Sequence, residues 1–209
     1  MKQKILPLAL LTSCLFACSS GDSVEEETLP HPVLASDDSA ELDLSRGDYR
    51  CYTLSTSFGD IELALDEQYA PASSANFHTY ASAGFYDGLT FHRVISNFMI
   101  QGGGFEPGLL RRETLAPIFN ESKNGLKNYR GRIAMARTSA IHSATSQFYI
   151  NVVDNHGLNG GADFGYAVFG GVISGMDVVD QIRQVSTGSV GGYSDVPVED
   201  VMIEQVVES

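Results

Sequence analysis

The residues able to do chemistry crowd into a few short segments. Phe91-His92-Arg93-Val94-Ile95 is followed at once by Phe98-Met99-Ile100-Gln101-Gly102-Gly103. Later come Met135-Ala136-Arg137-Thr138 and Ser146-Gln147-Phe148-Tyr149-Ile150. They combine cations and primary amides with aromatic and thioether side chains, and set no nucleophile beside a base. The five histidines (His31, His78, His92, His142 and His156) include no i, i+4 pair of the kind a helical zinc site uses, and no cysteine pair accompanies them. No metal is therefore expected. Gly102-Gly103-Gly104 lacks a following Lys-Ser/Thr, and Pro107 prevents a helix from opening there, so it is no phosphate loop. Without a Gly-x-Ser-x-Gly elbow or a diagnostic Ser/His/Asp arrangement, the chain does not read as a hydrolase.

In their order and spacing these segments resemble the cyclophilin family of peptidyl-prolyl isomerases, especially its bacterial branch, over about Tyr49 to Val207. The resemblance implies a mainly β fold, an eight-stranded antiparallel barrel capped by two α-helices. It implies Arg93, Phe98 and Gln101 as the catalytic set, with Arg93 the donor to the substrate amide and Gln101 gripping substrate backbone. Phe98, Met99, Tyr149 and Leu158 would form the proline pocket, Tyr166 would line it, and Ala136, Arg137 and Gln147 would line the adjoining groove. The implied partners are X-Pro segments of unfolded or exported polypeptides, with no cofactor. A rival reading of another class is a proline-peptide binding or chaperone module without catalysis.

These residue types suit amide rotation on physical grounds. Resonance sets a barrier of ~18–20 kcal/mol, and X-Pro isomers exchange in tens to hundreds of seconds. In the twisted transition state the prolyl nitrogen regains a lone pair. A catalyst therefore needs a donor aimed at that nitrogen or the neighbouring carbonyl, and a dry pocket that disfavours the more polar planar amide. Cutting ~100 s to ~1 ms takes about 7 kcal/mol. One charge-assisted hydrogen bond supplies roughly 1.5–3 kcal/mol, so Arg93 cannot act alone.

Three departures from the family pattern stand out. Gly157 precedes Leu158 where cyclophilins carry Trp or Phe, an aromatic that helps bind cyclosporin. Weak cyclosporin affinity and a more open wall are expected, unless His156 turns in. Tyr166 stands where eukaryotic members have His, a change shared by the bacterial branch. Arg137 replaces a common Asn. Of nine basic residues from Cys51 onward, seven (Arg111, Arg112, Lys123, Lys127, Arg130, Arg132 and Arg137) fall between 111 and 137, which raises the idea of a basic edge beside the groove.

The elements that must position these groups are mostly short strands. Cys51 to Ser57 and Ile61 to Leu65 flank Phe58-Gly59-Asp60, a hairpin signature. Pro71 opens a helix with Ala72, Ala75, Phe77, Tyr80 and Ala81 as its apolar face, closed by Gly84. Strand-like runs follow at 89–95, 98–101, 132–136, 147–152 and 166–169. A second helix is expected over 174–185, with Ser174 and Asp177 spaced as a capping box and Val178, Val179, Ile182 and Val185 facing the core. A last strand spans 198–207. Short strands, glycine turns and only two helices indicate a barrel rather than parallel βαβ units.

The chain has 209 residues, 13 Lys+Arg against 26 Asp+Glu and a formal charge of -13. That balance argues against nucleic acid as a partner and against adhesion through a polybasic patch. Lys2 and Lys4 precede an apolar run, Ile5 to Leu11, too short to span a bilayer, so residues 1–17 read as a signal peptide. Leu15-Phe16-Ala17-Cys18 resembles the lipobox of bacterial lipoproteins, which makes Cys18 the lipidation site. Leu11-Thr12-Ser13-Cys14 also fits; Cys18 is preferred because it leaves a longer apolar region and a polar Ser-Ser-Gly start. Residues 18–48 carry nine acidic residues, opposed only by Arg46, and few aromatics, and so read as an extended tether. Residues 49–209 form the isomerase domain. The expected setting is the cell envelope, on the periplasmic face of the outer membrane, as a monomer. Cys51 would then be the only thiol besides the lipidated one, in a buried strand position.

Overall fold

The computed structural model describes residues 49–209; the signal segment, Cys14, Cys18 and the acidic stretch to residue 48 lie outside the described residues. In chain order the elements are β1 (Tyr49–Thr56), β2 (Gly59–Asp66), α1 (Pro71–Ser82), β3 (Leu89–Thr90), β4 (Arg93–Ile95), β5 (Met99–Gly102), β6 (Phe105–Glu106) and β7 (Leu110–Arg111). After a long irregular stretch come β8 (Arg132–Met135), β9 (Phe148–Asn151), β10 (Val168–Ser174), α2 (Met176–Ile182), β11 (Thr187–Val190), β12 (Tyr193–Pro197) and β13 (Met202–Glu208). Among the described residues no helix is long and apolar enough to cross a membrane.

Nine strands make one antiparallel sheet in the order β3-β13-β1-β2-β10-β8-β9-β5-β4. Its two outermost members, β3 and β4, are consecutive in the chain and separated only by Phe91 and His92. They are the two halves of the strand expected over 89–95. The sheet curls until its edges share this one interrupted strand, and counted so the strands number eight, as the resemblance implies. Such closure leaves no long unpaired edge.

Strand alternation sorts side chains onto two faces. Val94, Ile100, Ile133, Met135, Phe148 and Ile150 point inward and join a core built with Phe77, Tyr86, Phe91 and Phe169. Phe77 stacks on Tyr86 at 4.9 Å, and Phe148 meets both edge-on. Cys51 lies on β1 as expected but is only half-buried there, since Tyr52 and Leu54 take the inward positions of that strand. α1 packs against β13, β10 and β2, and α2 against β2.

Neither helix is capped by the side chain of its own N-cap residue. No side chain near the start of α1 caps it. Instead the distant Glu121 carboxylate accepts from the Ala72 and Ser73 amides at 2.9 and 2.8 Å and from the Ser73 hydroxyl at 2.6 Å. A negative group at the free amides is favoured by the helix dipole. On α1 Ala75 is exposed and Ala72 half-buried, whereas Ser73, Ser74 and Asn76 turn inward with Phe77, Tyr80 and Ala81. The capping box at Ser174 does not form. Ser174 still pairs with Glu62 in the sheet, and the chain turns at Gly175 (φ +86), which becomes the N-cap. A Cβ there would collide with the Asp60 carbonyl. α2 accordingly starts at Met176 and ends at Ile182, burying Val178, Val179 and Ile182.

Candidate active site

The registers of β4, β5, β9 and β8 build the site. Arg93 pairs with Gln101, Gln101 with Tyr149, and Tyr149 with Ala134. These four therefore form one row across four strands, on the face opposite the core. Beside them Met99, Ala134, Tyr149 and Val168 form a second buried apolar cluster, flanked by Phe98, Ala136, Leu158 and Tyr166. A barrel exterior is ordinarily polar, so a dry cluster here marks a ligand surface. It floors a cleft of about 410 Å³.

All ten residues singled out from the sequence (Arg93, Phe98, Met99, Gln101, Ala136, Arg137, Gln147, Tyr149, Leu158 and Tyr166) line this cleft. Met99 and Tyr149 are 2% and 3% exposed. Gln101 donates through Nε2 to Gln147 Oε1 at 2.9 Å, which orients both amides. The space for Gln147 exists because residue 104 is glycine; a Cβ there would lie 2.5 Å from Gln147 Cγ. Tyr166 meets Tyr149 edge-on at 5.9 Å.

Arg137 is a structural tie rather than a free cation. Its Nε and Nη2 donate to the carbonyls of Gly165 and Phe164, both at 3.1 Å, and its guanidinium lies 4.6 Å from the Tyr166 ring centre. Three other cations of the basic run are also engaged. Arg112 binds Glu106 and two carbonyls, Arg130 grips Asp180 with two nitrogens, and Lys123 sits over Phe164. The Arg130 hydrogen bonds hold the Asp180 carboxyl below its usual range. Of the run, Arg111 and Arg137 line the cleft, and Arg137 is tied to carbonyls and the Tyr166 ring, so no continuous basic edge borders the groove. A side chain at Gly157 would enter open space, with nothing within 4 Å of where its Cβ would stand, so the wall is open there. His156 does not fill it; its ring packs edge-on against Tyr129 at 5.6 Å.

The fold adds residues that the sequence did not disclose. His92 and Phe105 line the cleft, their rings 4.5 Å apart. Burial lowers the His92 pKa to about 4, and nearby Arg93 pushes the same way, so the imidazole is neutral at neutral pH. Tyr193 and Ser194 also line it, brought in by the β11–β12 hairpin. The next residue, Asp195, pairs with Arg93 Nε at 3.5 Å. One signal for the hairpin was present. Gly191-Gly192 between Val190 and Tyr193 is a two-residue turn, and both glycines have positive φ (+57 and +90).

Comparison with known proteins decides the family. The family model for cyclophilin type peptidyl-prolyl cis-trans isomerases matches residues 51–208. The chain belongs to the cyclophilin family. Peptidyl-prolyl cis-trans isomerase A of Dickeya dadantii is 56% identical to this cyclophilin over 152 residues, covering 72% of this chain and 80% of that protein. Isomerase B of Escherichia coli K12 is 54% identical over 161 residues, covering 75% and 98%. A crystal structure of a Cryptosporidium parvum cyclophilin type isomerase, determined in the presence of the dipeptide Ala-Pro, superposes with a TM-score of 0.64 at 25% identity, over 76% of this chain and 98% of that one. The protein is thus a peptidyl-prolyl cis-trans isomerase, an enzyme whose family binds proline-containing peptides.

Proposed function

We propose that the cleft isomerises X-Pro bonds of exported polypeptides, with Arg93 as the donor to the twisted amide, and that the enzyme works from a lipid anchor at Cys18. The observation that carries the catalytic part is the row Arg93–Gln101–Tyr149 over a dry floor. The proline ring rests on Met99, Phe98, Tyr149 and Leu158, where no water solvates the planar amide. Gln101, held by Gln147, grips substrate backbone beside it. Rotation breaks the amide resonance, and the nitrogen lone pair accepts a hydrogen bond from Arg93 as it appears. This bond is stronger in the transition state than in either planar isomer, which is the condition for raising kcat. Its roughly 1.5–3 kcal/mol joins a comparable contribution from desolvation and from binding the twisted form.

The anchor reading rests on the lipobox-like Leu15-Phe16-Ala17-Cys18 and the acidic stretch behind it. Through that tether a monomeric domain would stand off the periplasmic face of the outer membrane, within reach of emerging chains. Palmitate labelling and membrane fractionation of Cys18→Ser test it. Loss of label and release from the membrane are expected. Continued labelling would move the anchor to Cys14, and absence of label in the parent would remove it.

A further inference from the structure

We propose that Asp195 is a positioning residue for Arg93: its carboxylate holds the guanidinium by Nε so that the two terminal nitrogens are presented to the substrate amide. The inference rests on the reading of Arg93 as the donor. Three features of the hairpin point the same way. The nearest approach of the pair is at Nε, a 3.5 Å ion pair rather than a hydrogen bond, and neither Nη1 nor Nη2 has a hydrogen-bond partner among the described residues. The forked end of the side chain is therefore left open while its stem is held, the arrangement a donor needs.

The second feature is the register. Gly188 pairs with Val196 and Val190 with Tyr193, so Ser189 faces two residues, Ser194 and Asp195. The extra residue is a β-bulge, a device that re-aims a side chain beside a site. Here it releases Asp195 from the strand alternation and turns it toward Arg93 on β4, against which β12 packs. Tyr193 anchors the same hairpin by meeting Phe105 edge-on at 5.6 Å.

The third feature is backbone strain. Asp195 has φ +60, a left-handed conformation that glycine adopts freely and that asparagine and aspartate adopt at a smaller cost than other residues. Glycine would relieve it fully, yet could not supply a charge. A strained residue kept where an unstrained one would serve the turn equally well points to a use for its side chain. An exposed ion pair contributes little to stability, so the fold gains little from this one. The two side chains are 40% and 36% exposed, close enough to the solvent edge of the cleft to meet a substrate.

The test uses full-length protein with Asp195→Asn and Asp195→Gly. Both remove the charge while suiting the backbone, so neither threatens folding. Four quantities are read for each: kcat and KM on a proline tetrapeptide, the melting temperature, and the 15N order parameter of the Arg93 Nε–H group. Support is a fall of about 3- to 10-fold in kcat/KM carried by kcat, a lower order parameter at Arg93, and a melting temperature at or above the parent's. The proposal is overturned if both variants stay within about twofold of the parent, or if activity falls while Arg93 stays equally ordered. Arg93→Ala separates this from the reading beneath it. A parental rate in Arg93→Ala sinks both. An impaired Arg93→Ala beside parental Asp195 variants sinks the positioning role alone.

Discussion

The Tyr149 hydroxyl donates to Asn128 Oδ1 at 2.7 Å beneath the floor of the cleft. Asn128 is fully buried, accepts also from Asn151 Nδ2 at 3.3 Å and donates to Asn159 Oδ1 at 3.2 Å, next to Leu158. The apolar surface that would receive proline is thus held from below by a satisfied polar network. Burial drives the Tyr149 phenol well above its ordinary pKa, so this hydroxyl remains a donor. In Tyr149→Phe the ring stays and one buried bond goes. We expect a loss of about 1 kcal/mol in stability, or roughly 2–4 °C in Tm, with kcat/KM within about threefold of the parent. Urea or thermal unfolding beside a steady-state assay checks both parts; a tenfold loss of activity at unchanged stability would place the hydroxyl in the chemistry.

His92 links the site to acid stability. Its pKa is near 4 when folded, against about 6.5 when unfolded, so the unfolded chain binds the proton more readily. Stability from this residue is complete above pH 6.5 and falls as pH drops toward 4. Between pH 8 and 5 the loss amounts to about 2 kcal/mol. His92→Phe removes the titrating group, and its unfolding free energy should fall less over that range. Identical pH slopes in the two proteins would show that the ring is not held neutral.

Gly157 sets inhibitor sensitivity. A side chain there would meet open space, and the glycine does not occupy the left-handed region, so Gly157→Trp is tolerated by the backbone. A large aromatic at the rim of an apolar cleft supplies contact area where binding energy concentrates. We expect cyclosporin to bind the parent weakly and Gly157→Trp about tenfold or more tighter by calorimetry. Low-nanomolar binding to the parent would contradict this.

The legible parts of this fold were those where one strand carries its own pattern. Arg93 to Ile95 and Met99 to Gln101 alternate inward and outward residues, and their antiparallel pairing alone sets Arg93 opposite Gln101. Ser174 misled because a capping box and a strand end use the same residue types, and sheet pairing to Glu62 won. The break at Phe91-His92 is a matter of barrel closure that no local pattern records. Glu121 over the start of α1, Asn128 under Tyr149 and Asp195 beside Arg93 are contacts across 49, 21 and 102 positions of sequence. Such partners depend on where the strands meet, and they are the ones that tune the site.

The most direct measurement is X-Pro exchange followed by NMR on one peptide, with the parent and with Arg93→Ala at equal concentration. The parent should bring exchange from tens of seconds to the millisecond range. In Arg93→Ala catalysis should fall about 10- to 100-fold and yet stay above the uncatalysed rate, because the dry floor and the Gln101–Gln147 pair remain. An Arg93→Ala protein as fast as the parent would contradict the assigned donor.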